Sequence, residues 1–156
     1  MPKIDVPKMR VDTAAMHPML GVPLDELYHN ILGDNAGITQ FGVFIEKLPP
    51  GSQYSVHNWH ENEDAIIYML SGEVVLLEDY ETRLVADDVA CWSVAVATGH
   101  HLENRSGLAA SYLSVGTCSK QDIIHYPDHD LITHKDGDDR RYNHIDGRLF
   151  EKRSFK

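Results

Sequence analysis

The sequence predicts an all-β protein of one domain, a sandwich or a closed barrel, and three observations carry that reading. From Gln40 onward the chain breaks into short apolar or alternating runs with turn residues between them, at the regular spacing of antiparallel sheets. Only one stretch shows the spacing of a helix. At 156 residues, with 42% apolar and 24% charged residues, the chain suits a single globular domain with a sizeable core.

Residues 1 to about 22 carry Pro and Met without a period and read as an extended arm. The next stretch, "PLDELYHNILGDNAG", sets Leu24, Leu27, Tyr28, Ile31 and Leu32 at helical spacing, after Pro23 and before Gly33 as a C-terminal stop. It predicts one short amphipathic helix. Strand-like runs follow: "QFGVFIEKL", "QYSVHNWH", "AIIYMLSG", "EVVLLED", "ETRLVA", "VACWSV", "HHLENRS" and "AASYLSVG". "EDYE" reads as a hairpin turn, and Asp87-Asp88 as another, since Asp tolerates the left-handed region. After Gly116 the β pattern fades into a polar stretch rich in His and Asp. That stretch is too long for a structureless loop, and Ile123, Ile124, Tyr126, Leu131 and Ile132 offer it apolar anchors. The boundaries expected are an arm and helix over 1–39, a barrel over 40–118, and a C-terminal extension over 119–156 that packs on the barrel or on a partner subunit.

A net charge of −10 repels nucleic acid and anionic lipid, and the late basic residues are interleaved with acids. No run of eighteen apolar residues predicts a membrane span. The N-terminus lacks the apolar region of a secretory signal, so a cytoplasmic location is the default expectation. Cys91 and Cys118 sit in apolar strand-like runs and read as buried free thiols. Apolar residues in the arm and tail that a barrel does not cover point to a homodimer.

Zinc signatures of Cys and His, nucleophile elbows and phosphate-binding glycine loops are all missing from the sequence. The sharp signal is histidine on strands: His57 and His60, then His100 and His101. Side chains alternate faces along a strand, so Asn58 and His60 share a face that His57 does not. Chelation by His57 and His60 together needs a bulge, and His100 and His101 likewise diverge. Neutral imidazole suits Fe, Mn, Ni or Zn, and two imidazoles with a carboxylate leave positions open for a substrate. The same histidines also serve as polar walls of a ligand cavity. Tyr54, Trp59, Tyr68, Trp92 and Tyr112 read chiefly as core aromatics, with one or two placed to stack on a ligand. Glu61, Glu63 and Asp64 make a solvated turn or a cation-attracting rim. His125, His129, His134 and His144 match no ligand spacing and read as part of a polar extension.

"GSQYSVHNWHENEDAIIYMLSG" and "DDVACWSVAVATGHHLEN" together resemble the two motifs of the cupin superfamily. The first motif is Gly, five residues, His-any-His, three or four residues, Glu, six residues, Gly. The second is Gly-Asp, a short strand, a Pro-any-Gly turn, His, three residues, Asn. The resemblance covers roughly residues 40 to 132 and implies a jelly-roll β-barrel that holds one metal inside. The departures are specific. Asn58 stands for the first His, Ala65 for the Glu, Asp87 for a Gly, and Ser93 and Ala95 for the Pro and Gly of the turn, while His60, His100 and Asn104 are kept.

The candidate catalytic residues are therefore His60 and His100, and the candidate ligands of a divalent transition metal are His60, His100, His57, Asn58 and Asp64, with Glu63 also in reach after a shift of register. Losing a charged ligand at Ala65 removes much of the pull on a cation. Three functions are expected of such a chain: an isomerase-like or oxygenase-like enzyme at an adapted metal centre, a metal-free cupin that binds or transforms a small polar molecule with His60 or His100 as acid or base, or a sensor module built on the same cavity. The kept His60 and His100 favour the first, with weak or adapted metal binding centred on them and no substrate assigned, since the fold alone does not choose the reaction.

Overall fold

Alternation of apolar side chains along successive strands closes this chain around one interior. The structure is a computed structural model and describes residues 3–12, 16–22, 24–94 and 96–151. Among these residues the strands are β1 (Arg10–Asp12), β2 (Leu27–Ile31), β3 (Phe41–Leu48), β4 (Gln53–His60), β5 (Ala65–Ser71), β6 (Glu73–Leu77) and β7 (Glu81–Val85). They continue with β8 (Val89–Trp92), β9 (His100–Glu103), β10 (Ala110–Thr117), β11 (Gln121–Tyr126), β12 (Leu131–Asp136) and β13 (Asp139–Asn143). One sheet runs β1-β2-β3-β10-β5-β8 and the other β13-β12-β11-β4-β9-β6-β7, with every pairing antiparallel. This is the expected all-β jelly roll.

The interior is filled from both sheets. Leu48 of β3, Ile67 and Met69 of β5, Val74 and Leu76 of β6, Leu102 of β9 and Tyr112 of β10 form one buried cluster. Burying side chains of this size stabilises by roughly 1.5–3 kcal/mol each, before the entropy cost of ordering them. A second cluster of Leu20, Val56, Leu131 and Phe150 lies beside Tyr126 and Tyr142, so the N-terminal arm and the C-terminal residues pack together against β4 and β12.

Two sequence expectations change. A short helix is present, α1 (Leu32–Asn35), but it is a single turn, and Leu27–Ile31 is a strand despite its helical spacing. β2 is held between β1 and β3, where Asn30 faces Ile45 and His29 faces Glu46, so tertiary pairing overrides the local period. Pro23, expected to open the helix, lies outside the described residues. The segment after Gly116 does not lose its β character either. β11, β12 and β13 extend the second sheet, with Ile124 opposite His60 and a tight turn at Gly137 between β12 and β13.

Smaller details follow the backbone. Asp87 takes φ 74°, the left-handed conformation for which the family motif uses Gly. Cys91 and Cys118 are free thiols, but both are exposed rather than buried. On β8 the half-buried neighbours Ala90 and Trp92 put Cys91 on the outer face. No helix among the described residues is long and apolar enough to cross a membrane.

Candidate active site in the barrel interior

The strands that build the core leave a cavity of about 180 Å³ between the sheets. Its deep wall consists of buried Glu46, Ile67, Leu102 and Tyr112, and its rim includes the exposed Asp64, Ser93 and Val96. Asn58, His60, Ala65, Trp92, His100 and His101 line the space between. The volume suits a small molecule, not a polymer.

His60, at the end of β4, turns its Nδ1 outward to Asp122 Oδ2 at 2.5 Å. Asp122 is buried on β11, and its other oxygen accepts the Asn62 backbone N–H at 3.0 Å. A carboxylate on Nδ1 fixes that nitrogen as the N–H, so the lone pair of the neutral ring resides on Nε2. Glu63 lies 3.6 Å from the same Nδ1 and is paired with Lys135 at 2.7 Å.

His100 stacks on Trp92 with ring centroids 3.9 Å apart and an interplanar angle of 7°. Its Nδ1 sits 3.2 Å from the Thr98 carbonyl oxygen, which also leaves Nε2 as the acceptor. Burial holds His100 below the ordinary imidazole range, the Thr98 carbonyl pulls the other way, and His60 adds to the lowering. His100 is thus neutral at pH 7.

The remaining sequence candidates separate. Asn58 lines the cavity opposite His100 on β9, and its amide donates to the Val56 carbonyl at 2.5 Å. Asp64 stands at the rim, where its Oδ1 accepts the Val94 backbone N–H at 2.7 Å. His57 does not line the cavity. Its Nδ1 lies 2.9 Å from Asp128, and its ring packs edge-on against His101. A register shift between Tyr54 and Asn58, with Ser55 at φ 62°, marks a bulge in β4. The bulge absorbs the extra residue between Gly51 and the Asn58–His60 pair, and it leaves His57 on the far side instead of bringing it in. Ala95, the replaced turn Gly, lies outside the described residues.

Among the described residues one group brings three donor atoms within 4.8 Å of one another, namely His60, Glu63 and Asp122. Those donors are already engaged: Nδ1 with Asp122, Asp122 with Asn62, and Glu63 with Lys135. An ion there has to displace the His60–Asp122 contact and the lysine. His100 and Asp64 do not join the group, and Ala65 supplies no charge where the family motif has one. The His60–Glu63–Asp122 group forms a hydrogen-bonded relay behind His60, while Nε2 of His60 and of His100 stay free as acceptors beside the cavity.

Sequence reasoning missed two residues. Asp122 is brought to His60 only by the β4–β11 pairing. Glu46 had a local signal, because it falls on the face of β3 that Gly42 and Leu48 bury. It is 4% exposed, and its Oε2 has no hydrogen-bond partner. Burial pushes its carboxyl up to about 7, with Tyr112 opposing.

The family model described as a cupin domain matches residues 44–116. No curated protein is a match. Among solved structures, the chain is similar to a sugar phosphate isomerase of the cupin superfamily from Silicibacter pomeroyi, with 29% identity, TM-score 0.85, and coverage of 95% of this chain and 96% of the other. A polyketide cyclase from Streptomyces resistomycificus shares the fold at 16% identity and TM-score 0.61, over 76% of this chain and 80% of that one. A predicted oxalate decarboxylase from Thermotoga maritima does so at 24% identity and TM-score 0.57, over 73% and 98%.

Proposed function

We propose, from the match of residues 44–116 to the cupin-domain model and the likeness to a cupin structure, that the chain is a cupin and a metal-independent enzyme moving protons on a small polar carbonyl compound, an isomerisation of sugar-like substrates. The observation that supports this reading is the His60–Asp122 pair at 2.5 Å, with Nε2 of a cavity-lining ring left as a base. Asp122 orients the imidazole and stabilises it once protonated. Neutral His100 offers a second acceptor on the facing strand, and Trp92 supports its ring.

The similar Silicibacter pomeroyi protein is named a sugar phosphate isomerase. Here the described residues lining the cavity include no Lys or Arg, while Glu46, Glu63 and Asp64 are acidic. That lining disfavours a phosphate and favours a neutral polyhydroxy aldehyde or ketone.

Deuterium exchange tests the reading. Incubated with trioses to hexoses in D₂O and EDTA, the wild type exchanges the hydrogen beside the carbonyl, and His60→Ala loses at least about 100-fold of that rate. Exchange that needs added metal, or that survives His60→Ala, sinks it.

A second reading keeps a divalent transition metal (Fe, Mn, Ni or Zn), and the mutual proximity of His60, Glu63 and Asp122 favours it. Near-stoichiometric metal in protein purified without an affinity tag, lost in a His60→Ala/His100→Ala variant, selects this reading.

We also propose a homodimer. Ile66, Tyr68 and Leu70 on β5, with Val89 and Cys91 on β8, make an exposed and largely apolar outer face, supporting self-association there. Light scattering after gel filtration tests it, with Ile66→Lys/Leu70→Lys expected to yield monomers.

A further inference from the structure

Glu46 is a carboxyl group in a wall that gives it almost nothing to bind. On β3 it faces Tyr112 of β10 on one side and His29 of β2 on the other. The charged and titratable groups packed around it are those two, Tyr54 across the cavity wall, and Asp12, which lies 3.6 Å from His29. None of the ion pairs among the described residues reaches Glu46. Neither Glu46 Oε2 nor the Tyr112 hydroxyl meets a partner at hydrogen-bond geometry, although the hydroxyl lies near enough to the carboxyl to oppose its upward shift. Folded proteins pair nearly all such atoms, so an unpaired carboxyl in the lining of a ligand-sized cavity points to a ligand's oxygen as its partner.

We propose that Glu46 is the second proton-transfer group of this cavity, giving the proton of its neutral carboxyl to an oxygen of the bound carbonyl compound. The proposal rests on the acid–base reading of His60. An unpaired carboxylate is costly in so apolar a wall, which keeps the group a neutral acid and hence a hydrogen-bond donor. Its shift to about 7 agrees with that state. Tyr54 and Tyr112 are themselves held well above the usual phenol range, Tyr54 mainly by the charge that Glu46 carries once ionised at higher pH and Tyr112 mainly by burial, so neither phenol competes as a base.

The step balances. His60 Nε2 takes the proton from the carbon beside the carbonyl. The C–H electron pair becomes a C=C bond, and the carbonyl π pair moves to oxygen, which takes the Glu46 proton. An enediol, an imidazolium and a Glu46 carboxylate result. In the second half the carboxylate removes the proton of the other hydroxyl, and the imidazolium protonates the former carbonyl carbon.

Infrared spectra of wild type and Glu46→Gln in D₂O, with and without dihydroxyacetone, test Glu46 directly. A protonated-carboxyl band is expected below about pH 7, absent from Glu46→Gln, and shifted by dihydroxyacetone as the carboxyl donates to it. No such band, or a band indifferent to dihydroxyacetone, overturns the proposal. Deuterium exchange supplies a kinetic arm. The wild-type rate falls as pH rises above about 7, whereas Glu46→Gln is at least about 100-fold slower and has lost that alkaline limb. An alkaline limb that persists in Glu46→Gln also overturns it. If no sugar exchanges in any protein, the acid–base reading of His60 fails, and the band shift alone still decides whether Glu46 donates to a ligand.

Discussion

Asp122 Oδ2 lies 2.5 Å from His60 Nδ1, although 62 residues separate the two in sequence. Ile124 pairs with His60, so Asp122, two residues before it on β11, shares the face that His60 uses. A buried carboxylate in this position sets the tautomer of the ring as well as its orientation. Asp122→Asn leaves the shape nearly unchanged but removes that preference. The expected outcome is a mixture of imidazole tautomers in long-range ¹H–¹⁵N spectra, against Nδ1–H alone in the wild type. Proton exchange on the sugar falls about 10- to 100-fold and stability by about 1–3 kcal/mol. A wild-type ring carrying its proton on Nε2 refutes the assignment.

Glu46 makes stability depend on pH in an unusual direction. Its folded-state pKa of about 7 stands above the ordinary 4.5. Between those values the folded chain holds a proton that the unfolded chain has released, so stability falls as pH rises through this window and levels off above it. Relative to Glu46→Gln, the wild type loses roughly 3 kcal/mol between about pH 4 and pH 8. Urea unfolding of both proteins at each pH measures it, and parallel pH curves for the two contradict a raised carboxyl.

How much of this was legible beforehand depended on how local the cause was. The strands from Phe41 to Thr117 announce themselves because residues such as Ile67 and Met69 alternate with exposed Ile66, Tyr68 and Leu70. β2 was misread, since Leu24, Leu27, Tyr28, Ile31 and Leu32 satisfy a helical period and only the neighbours β1 and β3 decide otherwise. β11 and β12 hid because their buried positions include Asp122 and Thr133. In the site, His60 and His100 followed from strand alternation and motif spacing, and Glu46 was readable from the first of these. Asp122 was not, because its partner is set by a long-range strand pairing.

Gly72, the last glycine of the first motif, has a structural role independent of any ligand. It takes φ 75°, and a Cβ there comes within 2.8 Å of the Ala109 carbonyl oxygen and of the Ala110 Cα. Both obstacles are backbone, so neither moves aside cheaply. Gly72→Ala is expected to cost roughly 2–4 kcal/mol, combining left-handed strain with the overlap. Thermal or urea unfolding checks it, and a loss below about 0.5 kcal/mol shows that the β5–β6 turn relaxes freely.

Tyr112 offers a substitution that separates packing from electrostatics. The residue is fully buried, and its hydroxyl meets no partner at hydrogen-bond geometry. Removing an unpaired buried hydroxyl relieves its desolvation cost, so Tyr112→Phe is expected to be neutral or to stabilise by about 1 kcal/mol, as long as the ring keeps its place among Leu48, Ile67 and Leu102. The same hydroxyl opposes the upward shift of Glu46. Its loss therefore raises the Glu46 pKa further, and the midpoint of the protonated-carboxyl infrared band moves to higher pH in Tyr112→Phe. A midpoint that stays put shows that the hydroxyl does not act on Glu46, and a loss of stability above about 1.5 kcal/mol shows that the hydroxyl is satisfied within the folded protein.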